Sequence, residues 1–260
     1  EALESAGWHP ESEEQQNRTG VIIGSGVGGF QTITKGALDF ADRGAKGISP
    51  FFIPAQIINL APGQIAIKYG FKGPNYGVVS ACSSGADSIA NGARSIQLDE
   101  ADVVVTGGTD AIIHPVAIAG FCRARAMSTG YNDRPQEASR PFDTGRDGFV
   151  MSEGAGILIL EEYEHAKKRG AEIIAELKGY ASVSDAYHIT ATHPEGTGEQ
   201  RALRRALSMG NLEPTDIDYI NAHATSTPVG DVGELNAIHS VFKDNKNVAI
   251  SSTKSAIGHT

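Results

Sequence analysis

The stretch YGVVSACSSGADSIANGARSIQL, residues 76–98, joins a short apolar run to a longer amphipathic one. Tyr76 to Ser80 is typical of a β-strand, whereas apolar side chains at three- and four-residue spacing predict a helix from Ser83 to Leu98. Cys82 falls at the junction, beside small residues that let other groups approach the backbone closely. The stretch therefore predicts a strand-to-helix turn that presents a thiol, and layered α/β proteins carry their chemistry on turns of this kind.

Outward from this turn, strand and helix signals alternate along the chain, which predicts a layered α/β fold. The other predicted strands are Val21 to Gly24, Asp102 to Gly107, Gly156 to Leu160, Ile173 to Tyr180, Ile217 to Ala222 and Val248 to Ser252. The other predicted helices are Glu161 to Arg169, Glu199 to Met209 and Val232 to Phe242. Residues 120–148 show little hydrophobic periodicity, so this segment is interpreted as a long loop excursion from the fold rather than as a linker. A soft boundary lies near Gly170, after which the strand and helix series begins again.

The composition argues against several classes of protein. The 260 residues include 31 glycines and 11 prolines, and no segment approaches the run of about 18 apolar residues that a membrane span requires. A net charge of −9 argues against general nucleic-acid binding. Two cysteines make no disulfide framework, which favours a reducing compartment. Glu1 to Gly7 is similar to the end of a helix, and the sequence stops one residue after His259, so we expect both ends to belong to a longer protein.

Cys82 is the candidate nucleophile. The unpaired amides and the dipole of a helix N-terminus favour a thiolate and offer N–H groups to a developing oxyanion, so we expect the pKa of this thiol to be lowered. An arbitrary cysteine is more often a small buried core residue, and that interpretation is kept for Cys122. The strand-to-helix position favours the catalytic interpretation for Cys82.

Three more reactive groups follow the last two predicted strands. His223 follows the first of these and precedes a row of hydroxyl residues, Thr225 to Thr227, while Lys254 and His259 follow the second. Imidazoles polarise carbonyl groups and manage protons, and a lysine beside an imidazole disfavours its protonation. A lone histidine in a loop is usually a solvated residue. Two histidines and a lysine at strand ends, together with a thiol, indicate covalent acyl chemistry.

The motifs of the chain resemble those of a known family, the β-ketoacyl-acyl carrier protein synthases of the elongating type, with β-ketoacyl synthase II closest in pattern. The resemblance covers nearly the whole chain, and its motifs are highly specific as a set. They are Gly24-Ser-Gly-Val-Gly-Gly29, Ser49-Pro-Phe-Phe52, Ala81-Cys-Ser-Ser-Gly85, Arg140-Pro-Phe-Asp143, Arg146-Asp-Gly-Phe149, Glu153-Gly-Ala-Gly156, Asn221-Ala-His-Ala-Thr-Ser-Thr227, and Ser252-Thr-Lys254 with Gly258-His259.

The resemblance implies a thiolase-like fold of the α/β class, in which two similar halves pack as five alternating layers. Residues 1–170 would form the first half and residues 171–260 the second, each incomplete at its outer end. A homodimer in a bacterial cytoplasm or an organelle matrix is implied, with acyl carrier protein as partner and without nucleic acid or membrane. The resemblance implies no metal and no cofactor, since the substrates are carried on the phosphopantetheine of the carrier protein.

The resemblance also implies roles for the reactive residues. Cys82 takes a fatty acyl chain as a thioester, and decarboxylation of malonyl-carrier protein then creates the carbanion that attacks it. His223 and His259 hydrogen-bond the malonyl thioester carbonyl and stabilise the enolate, while Lys254 orients and tunes His259.

Substrate-binding roles follow from the same likeness. Thr225 and Thr227 would bind the pantetheine arm, and Val27 would lie at the base of the acyl pocket, where it helps to set the chain length. Because carrier protein is acidic, the candidates for docking it are basic residues: Arg123, Arg125 and Lys46.

The chain departs from the family pattern in two respects. Ala224 stands where the family usually has glycine, which adds one methyl group. The family also has a strand and helices before the position of Glu1, and a glycine-rich loop with a gating phenylalanine and an oxyanion amide beyond the position of Thr260. We therefore expect the 260-residue polypeptide alone to be poorly active or unstable.

Other functions stay open at this point. Gly24-Ser-Gly-Val-Gly-Gly29 fits a dinucleotide-binding fingerprint. A dinucleotide site also requires a second strand that ends in an acidic residue, and residues 41–50 are instead a charged loop that contains glycine. A cysteine acyl hydrolase would use Cys82, His223 and Asn221, which leaves Lys254 and His259 unexplained. A polyketide-type ketosynthase shares the same motifs. A thiolase would need a cysteine after Cys122, and a non-catalytic partner subunit usually lacks the nucleophile.

Overall fold

The computed structural model describes residues 1–189 and 191–260. The described chain forms two compact units. Unit 1 comprises residues 1–114, 153–175 and 260, and unit 2 comprises residues 115–152 and 176–259. Each unit has its own hydrophobic core. The predicted division into halves at residue 170 stays a prediction.

Helices and strands alternate along the described chain. The helices are α1 (Ala2–Ser5), α2 (Glu13–Asn17), α3 (Phe30–Arg43), α4 (Leu60–Tyr69), α5 (Ser84–Gln97), α6 (Pro115–Arg123), α7 (Tyr163–Lys168), α8 (Thr197–Gly210), α9 (Gly230–Phe242) and α10 (Lys254–Ile257). The strands are β1 (Thr19–Gly24), β2 (Asn75–Val78), β3 (Val103–Asp110), β4 (Gly154–Glu161), β5 (Tyr219–Asn221) and β6 (Ala249–Ser251).

A four-stranded sheet organises unit 1. Its strand order is β2-β1-β3-β4, with β1 parallel to β2 and β3, and β4 antiparallel to β3. Successive side chains of β1 point to opposite faces, so Val21 and Ile23 join a core cluster with Trp8, whereas Ile22 joins a second cluster with Val104. The sheet is therefore covered on both faces, and its buried strands are continuous apolar runs.

Glycines bring helix α5 very close to this sheet. A Cβ on Gly24, the last residue of β1, would lie 2.1 Å from the carbonyl oxygen of Ser84. A Cβ on Gly108 in β3 would lie 2.9 Å from the Cα of Gly85. The first turn of α5 thus lies directly against the carboxyl ends of β1 and β3, a contact that side chains at these positions would prevent.

Unit 2 contains a short parallel sheet of β5 and β6, in which Tyr219 pairs with Ala249 and Asn221 pairs with Ser251. Helices α8 and α9 supply buried residues to its core, among them Leu207 and Ile238. Ala222 and Ala224, which follow β5, belong to the same core. The residues on either side of His223 are therefore anchored by packing.

The structure confirms six predicted strands and the four predicted helices, with ends that differ from the predicted ones by at most three residues. The prediction of a strand from Ile173 to Tyr180 is wrong, because no residue there pairs with a strand in the described part of the chain. Ile174 is 87% exposed. A β-branched run favours an extended backbone, but a strand also needs a hydrogen-bonding neighbour. The excursion at residues 120–148 contains the end of α6 and one 3₁₀ turn, Pro135–Glu137.

In the described residues, no helix is both long enough and apolar enough to cross a membrane.

Candidate active site

In unit 1, Cys82 lies on a tight turn between β2 and α5. Ala81, just before it, has φ +52°, a left-handed conformation that non-glycine residues rarely adopt. The amide of Ser84 donates to the carbonyl of Ala81 at 3.0 Å, and the Ser84 hydroxyl donates to the same oxygen at 2.6 Å. That hydroxyl also accepts from the amide of Ser80 at 2.9 Å. Ser84 is thus the residue that fixes the turn, and Cys82 is left exposed on it.

Val27, half-buried, lies in the loop that follows β1, also in unit 1. The loop is held by Asp110, whose carboxylate accepts hydrogen bonds from the Ser25 hydroxyl and the Gly26 amide, each at 2.8 Å. Asp110 was not predicted from the sequence. The available signal was a polar residue at the end of a buried strand, but its partner Ser25 lies 85 residues away in sequence.

In unit 2, the backbone at His223 is fixed by a carboxylate of helix α9. One oxygen of Glu234 accepts from the amide of His223 at 2.7 Å, and the other accepts from the amide of Ala224 at 2.6 Å. Glu234 could not be predicted from the sequence, because its separation from His223 along the chain fits neither helical nor strand periodicity. This bidentate contact holds the strand end from which the imidazole projects.

His259 is held by the backbone of residues 150–152. Its amide donates to the carbonyl of Val150 at 2.7 Å, and its carbonyl accepts from the amide of Ser152 at 2.8 Å. Gly258 precedes it with φ +73°, and a Cβ there would lie 2.9 Å from the Val150 oxygen. The position of His259 therefore depends on a glycine at residue 258.

The structure brings His223 and His259 together. Their ring centroids lie 5.3 Å apart with the planes perpendicular, and the ring of Phe149 lies 5.6 Å from that of His259. Burial, with added repulsion from Lys254 and then His259, lowers the pKa of His223 from 6.5 to about 4. Despite this burial, part of the surface of His223 is exposed to solvent. Its neutral state does not depend on burial alone, since the nearby cationic groups shift the pKa in the same direction.

Lys254 begins helix α10, between the two histidines in the same unit. Its carbonyl accepts from the hydroxyl of Ser139, and its amide donates to the hydroxyl of Ser252 at 3.3 Å. The buried Ser252 hydroxyl also donates to the carbonyl of Ala224 at 3.0 Å. Ser252 therefore links the backbone that carries Lys254 to the residue next to His223.

Thr225 and Thr227 lie side by side, with their hydroxyl oxygens 3.2 Å apart. Between them Ser226 has φ +71° and is fully buried, whereas both threonines are half-buried. Its hydroxyl accepts from the amide of Arg140 at 3.0 Å. The loop thus presents a pair of adjacent hydroxyls with a fixed backbone, an arrangement suited to hydrogen-bonding an amide-containing ligand.

An ion pair between the buried Asp231 and Arg146 holds the backbone of this loop. Asp231, fully buried, accepts from the amides of Thr227 at 3.2 Å and Phe142 at 2.9 Å, and lies 3.6 Å from the guanidinium of Arg146. Arg146 also donates to the carbonyl of Thr227 at 3.0 Å. The role of Asp231 could not be predicted, because the local sequence does not show that a carboxylate is buried.

The predicted residues fall into two groups by unit. Cys82 and Val27 belong to unit 1, and His223, Thr225, Thr227, Lys254 and His259 belong to unit 2. The unit 1 turn can present a thiol, and the unit 2 cluster can present neutral imidazole N–H groups to a carbonyl oxygen. No structural observation tests the roles of these residues, which stay predictions.

Two family models together cover almost the whole chain. The model described as Beta-ketoacyl synthase, N-terminal domain, matches residues 1–166. The model described as Beta-ketoacyl synthase, C-terminal domain, matches residues 174–260.

Curated relatives match along the full chain. The mitochondrial 3-oxoacyl-[acyl-carrier-protein] synthase of Arabidopsis thaliana is 51% identical over 262 residues, covering 100% of this chain and 57% of the relative. The 3-oxoacyl-[acyl-carrier-protein] synthase 2 of Rhizobium meliloti (strain 1021) is 51% identical over 259 residues, covering 99% and 61%. The chain therefore spans about 60% of the length of these relatives.

Two solved structures are similar to the chain over its whole length. One is a type II PKS acyl-carrier protein in complex with its ketosynthase bound to the hexaketide, with a TM-score of 0.94, 33% identity and coverage of 99% of this chain and 64% of that chain. The other is a Beta-ketoacyl synthase from Burkholderia phymatum STM815, with a TM-score of 0.91, 35% identity and coverage of 100% and 62%. This likeness confirms the predicted α/β fold of the thiolase-like type.

Proposed function

The chain belongs to the β-ketoacyl synthase family, and on this premise we propose that it catalyses decarboxylative Claisen condensation. The reaction extends an acyl chain with malonyl-acyl carrier protein in fatty acid biosynthesis. Relatives at 49–51% identity that are named 3-oxoacyl-[acyl-carrier-protein] synthases support this choice of reaction.

The first step is acyl transfer to Cys82. The thiolate sulfur bonds to the carbonyl carbon of the incoming acyl thioester, and the bond from that carbon to the carrier's pantetheine sulfur breaks. The pantetheine sulfur leaves and takes up the proton that Cys82 gave up on ionising. An exposed thiol at the start of a 14-residue helix supports this step, because the helix terminus favours the anion without a strong neighbouring base.

The second step is decarboxylation and condensation. The bond between the malonyl carboxylate and its methylene carbon breaks, carbon dioxide leaves, and the electron pair moves into the thioester as an enolate. The enolate carbon then bonds to the acyl carbonyl on Cys82, whose sulfur leaves as a thiolate. His223 and His259 each donate one N–H to the enolate oxygen, and Lys254 orients and tunes His259.

One observation carries this proposal: two imidazoles lie 5.3 Å apart, and the pKa of one of them is lowered to about 4. A neutral imidazole donates a hydrogen bond without giving its proton to the enolate. A cysteine acyl hydrolase needs a histidine that gains a proton when it activates the nucleophile or water. A histidine held neutral near a lysine is poorly suited to that task.

The proposal is tested by acyl loading on the protein at its natural length. Mass spectrometry after incubation with acyl-carrier protein should find one acyl group on the wild type and on Cys122→Ala, and none on Cys82→Ala. Acyl mass on the Cys82→Ala variant would refute the assignment of the nucleophile.

The histidines are tested separately by malonyl-carrier protein decarboxylation. His223→Ala and His259→Ala should each lose most of the rate, while His239→Ala on helix α9 should keep it. Undiminished rates in the first two variants would remove both histidines from the mechanism.

The proposed partners are acyl carrier protein and a second copy of the chain. Exposed Arg123 and Arg125 in unit 2 and Lys46 in unit 1 are the proposed docking residues, because carrier protein is acidic. Thr225 and Thr227 are proposed to hydrogen-bond the pantetheine arm. No cofactor or metal takes part in the proposed steps. Bacterial and mitochondrial relatives support a bacterial cytoplasm or an organelle matrix as the location.

A polyketide-type ketosynthase is the second candidate, favoured by the likeness to a ketosynthase with a bound hexaketide. The two functions differ in the acyl group on Cys82. Loading with saturated acyl chains in preference to β-ketoacyl chains would support the fatty-acid role, and the reverse preference would support the polyketide role.

A further inference from the structure

A hydrogen-bond network in unit 1 holds the loop that carries Val27, and no proposed chemical step uses it. The two carboxylate oxygens of Asp110 accept from the Ser25 hydroxyl and the Gly26 amide. The Ser25 hydroxyl oxygen in turn accepts from the Gly28 amide at 3.0 Å. The backbone on both sides of Val27 is therefore tied to one carboxylate.

The other side of the loop lies against residues 55–58. The amide of Gly29 donates to the carbonyl of Gln56 at 3.0 Å. A Cβ on Gly28, which has φ +63°, would lie 2.6 Å from that carbonyl oxygen, and a Cβ on Gly29 would lie 2.3 Å from the oxygen of Ala55. Because the neighbours of Val27 are glycines, Val27 is the one residue of the segment 26–29 that has a side chain.

The sheet fixes the position of the carboxylate itself. Strands β1 and β3 are parallel, with Gly24 opposite Gly108, so the loop after β1 and the last residue of β3 meet at the same edge. Ser25 is buried, and its hydrogen bond to Asp110 is charge-assisted. The side chain of Val27 therefore has its position set by the sheet through Asp110.

We propose that Asp110 is a positioning residue that sets the range of acyl chain lengths the protein accepts, by fixing the loop on which Val27 lies. The proposal rests on the proposed function and on the role predicted for Val27 from the family resemblance, at the base of the acyl pocket. A pocket distinguishes chains that differ by one methylene only if its end wall stays in place. Releasing the loop moves that wall and admits longer chains.

The test measures kcat/KM for short, medium and long saturated acyl-carrier proteins with Asp110→Asn and Ser25→Ala at natural length. Both variants should raise the ratio of long-chain to short-chain kcat/KM by about tenfold. Asp39→Asn on helix α3, which removes a half-buried ion-pair partner of Lys35 and Arg43, should leave the ratio unchanged. An equal loss at every chain length, or an unchanged ratio in both folded variants, would overturn the proposal.

A second arm tests that Asp110 acts through Val27. In a Val27→Ala background the end wall is already removed, so adding Asp110→Asn should produce no further change in the ratio. A full additional tenfold shift would show that Asp110 acts elsewhere. Failure of the proposed function gives a different result, because the wild type would then form no condensation product at any chain length.

Discussion

His223 is the residue whose chemistry depends most on its neighbours. Burial, the charge of Lys254 and that of His259 together hold its pKa at about 4, below the ordinary 6.5. The folded protein therefore binds this proton less tightly than the unfolded chain. As pH falls from the ordinary pKa towards the folded pKa, the unfolded chain gains the proton first, and unit 2 loses stability. At pH well above 6.5 the imidazole is uncharged in both states, and this loss is absent.

Removing the lysine charge should raise the pKa of His223. We expect the Lys254→Met variant, which keeps most of the side chain's apolar stem, to move the imidazole titration upward from about 4 towards 6.5. NMR titration of the His223 ring protons measures this directly. Lys243→Met, which removes an exposed lysine after helix α9, is the matched control and should leave the titration unchanged. A Lys254→Met titration identical to that of the wild type would contradict the electrostatic explanation.

Gly258 determines where His259 lies. We expect Gly258→Ala to cost about 1–2 kcal/mol of unfolding free energy, because the left-handed backbone disfavours a Cβ and the added carbon would press on the Val150 carbonyl. Malonyl decarboxylation should fall with it, since the imidazole is displaced. Gly120→Ala in helix α6 meets no atom within 4 Å and should be neutral or slightly stabilising. Denaturant titration and the decarboxylation rate check both variants, and a fully active Gly258→Ala protein would refute the prediction.

At the scale of elements, the contact between strand β1 and helix α5 positions the nucleophile turn. We expect Gly24→Ala to displace the first turn of α5, since a Cβ would lie 2.1 Å from the Ser84 carbonyl oxygen, and Ser84 fixes the turn that carries Cys82. The rate of acyl transfer to Cys82 should fall by more than about tenfold. Gly156→Ala in β4, where a Cβ meets nothing within 4 Å, is the matched control. Equal acylation rates in the two variants would show that the turn does not depend on this contact.

The same elements show what a sequence can and cannot predict. Apolar patterning located β1 and β3 as continuous runs and α5 and α9 by helical spacing, because burial imposes these patterns locally. It was wrong for Ile173 to Tyr180, because pairing depends on a neighbour that local sequence does not specify. The reactive side chains could be selected by residue type and by position at strand ends. The residues that hold them in place could not: Asp110 and Ser25 are 85 residues apart, and Arg140 and Ser226 are 86 apart. Only the folded chain brings such pairs together.

At the scale of the whole molecule, the 260-residue chain leaves large apolar side chains in solvent. Ile174 is 87% exposed, Ile67 77%, and Leu38 and Phe51 72% each. Exposed apolar surface on this scale favours association, and the cost of leaving it uncovered is large compared with the marginal stability of a folded domain. We therefore expect the 260-residue polypeptide alone to be poorly active and to associate as its concentration rises.

Light scattering across a dilution series and a condensation assay test this expectation against the protein at natural length. The measured mass of the 260-residue polypeptide should increase with concentration, and its condensation rate should be well below that of the natural-length protein. Substituting Ile174→Ser should reduce the association if the segment 173–180 contributes to it, whereas Glu172→Ser beside it should not. If the mass of the 260-residue polypeptide stays constant and its condensation rate is full, the exposed apolar side chains neither drive association nor reduce activity.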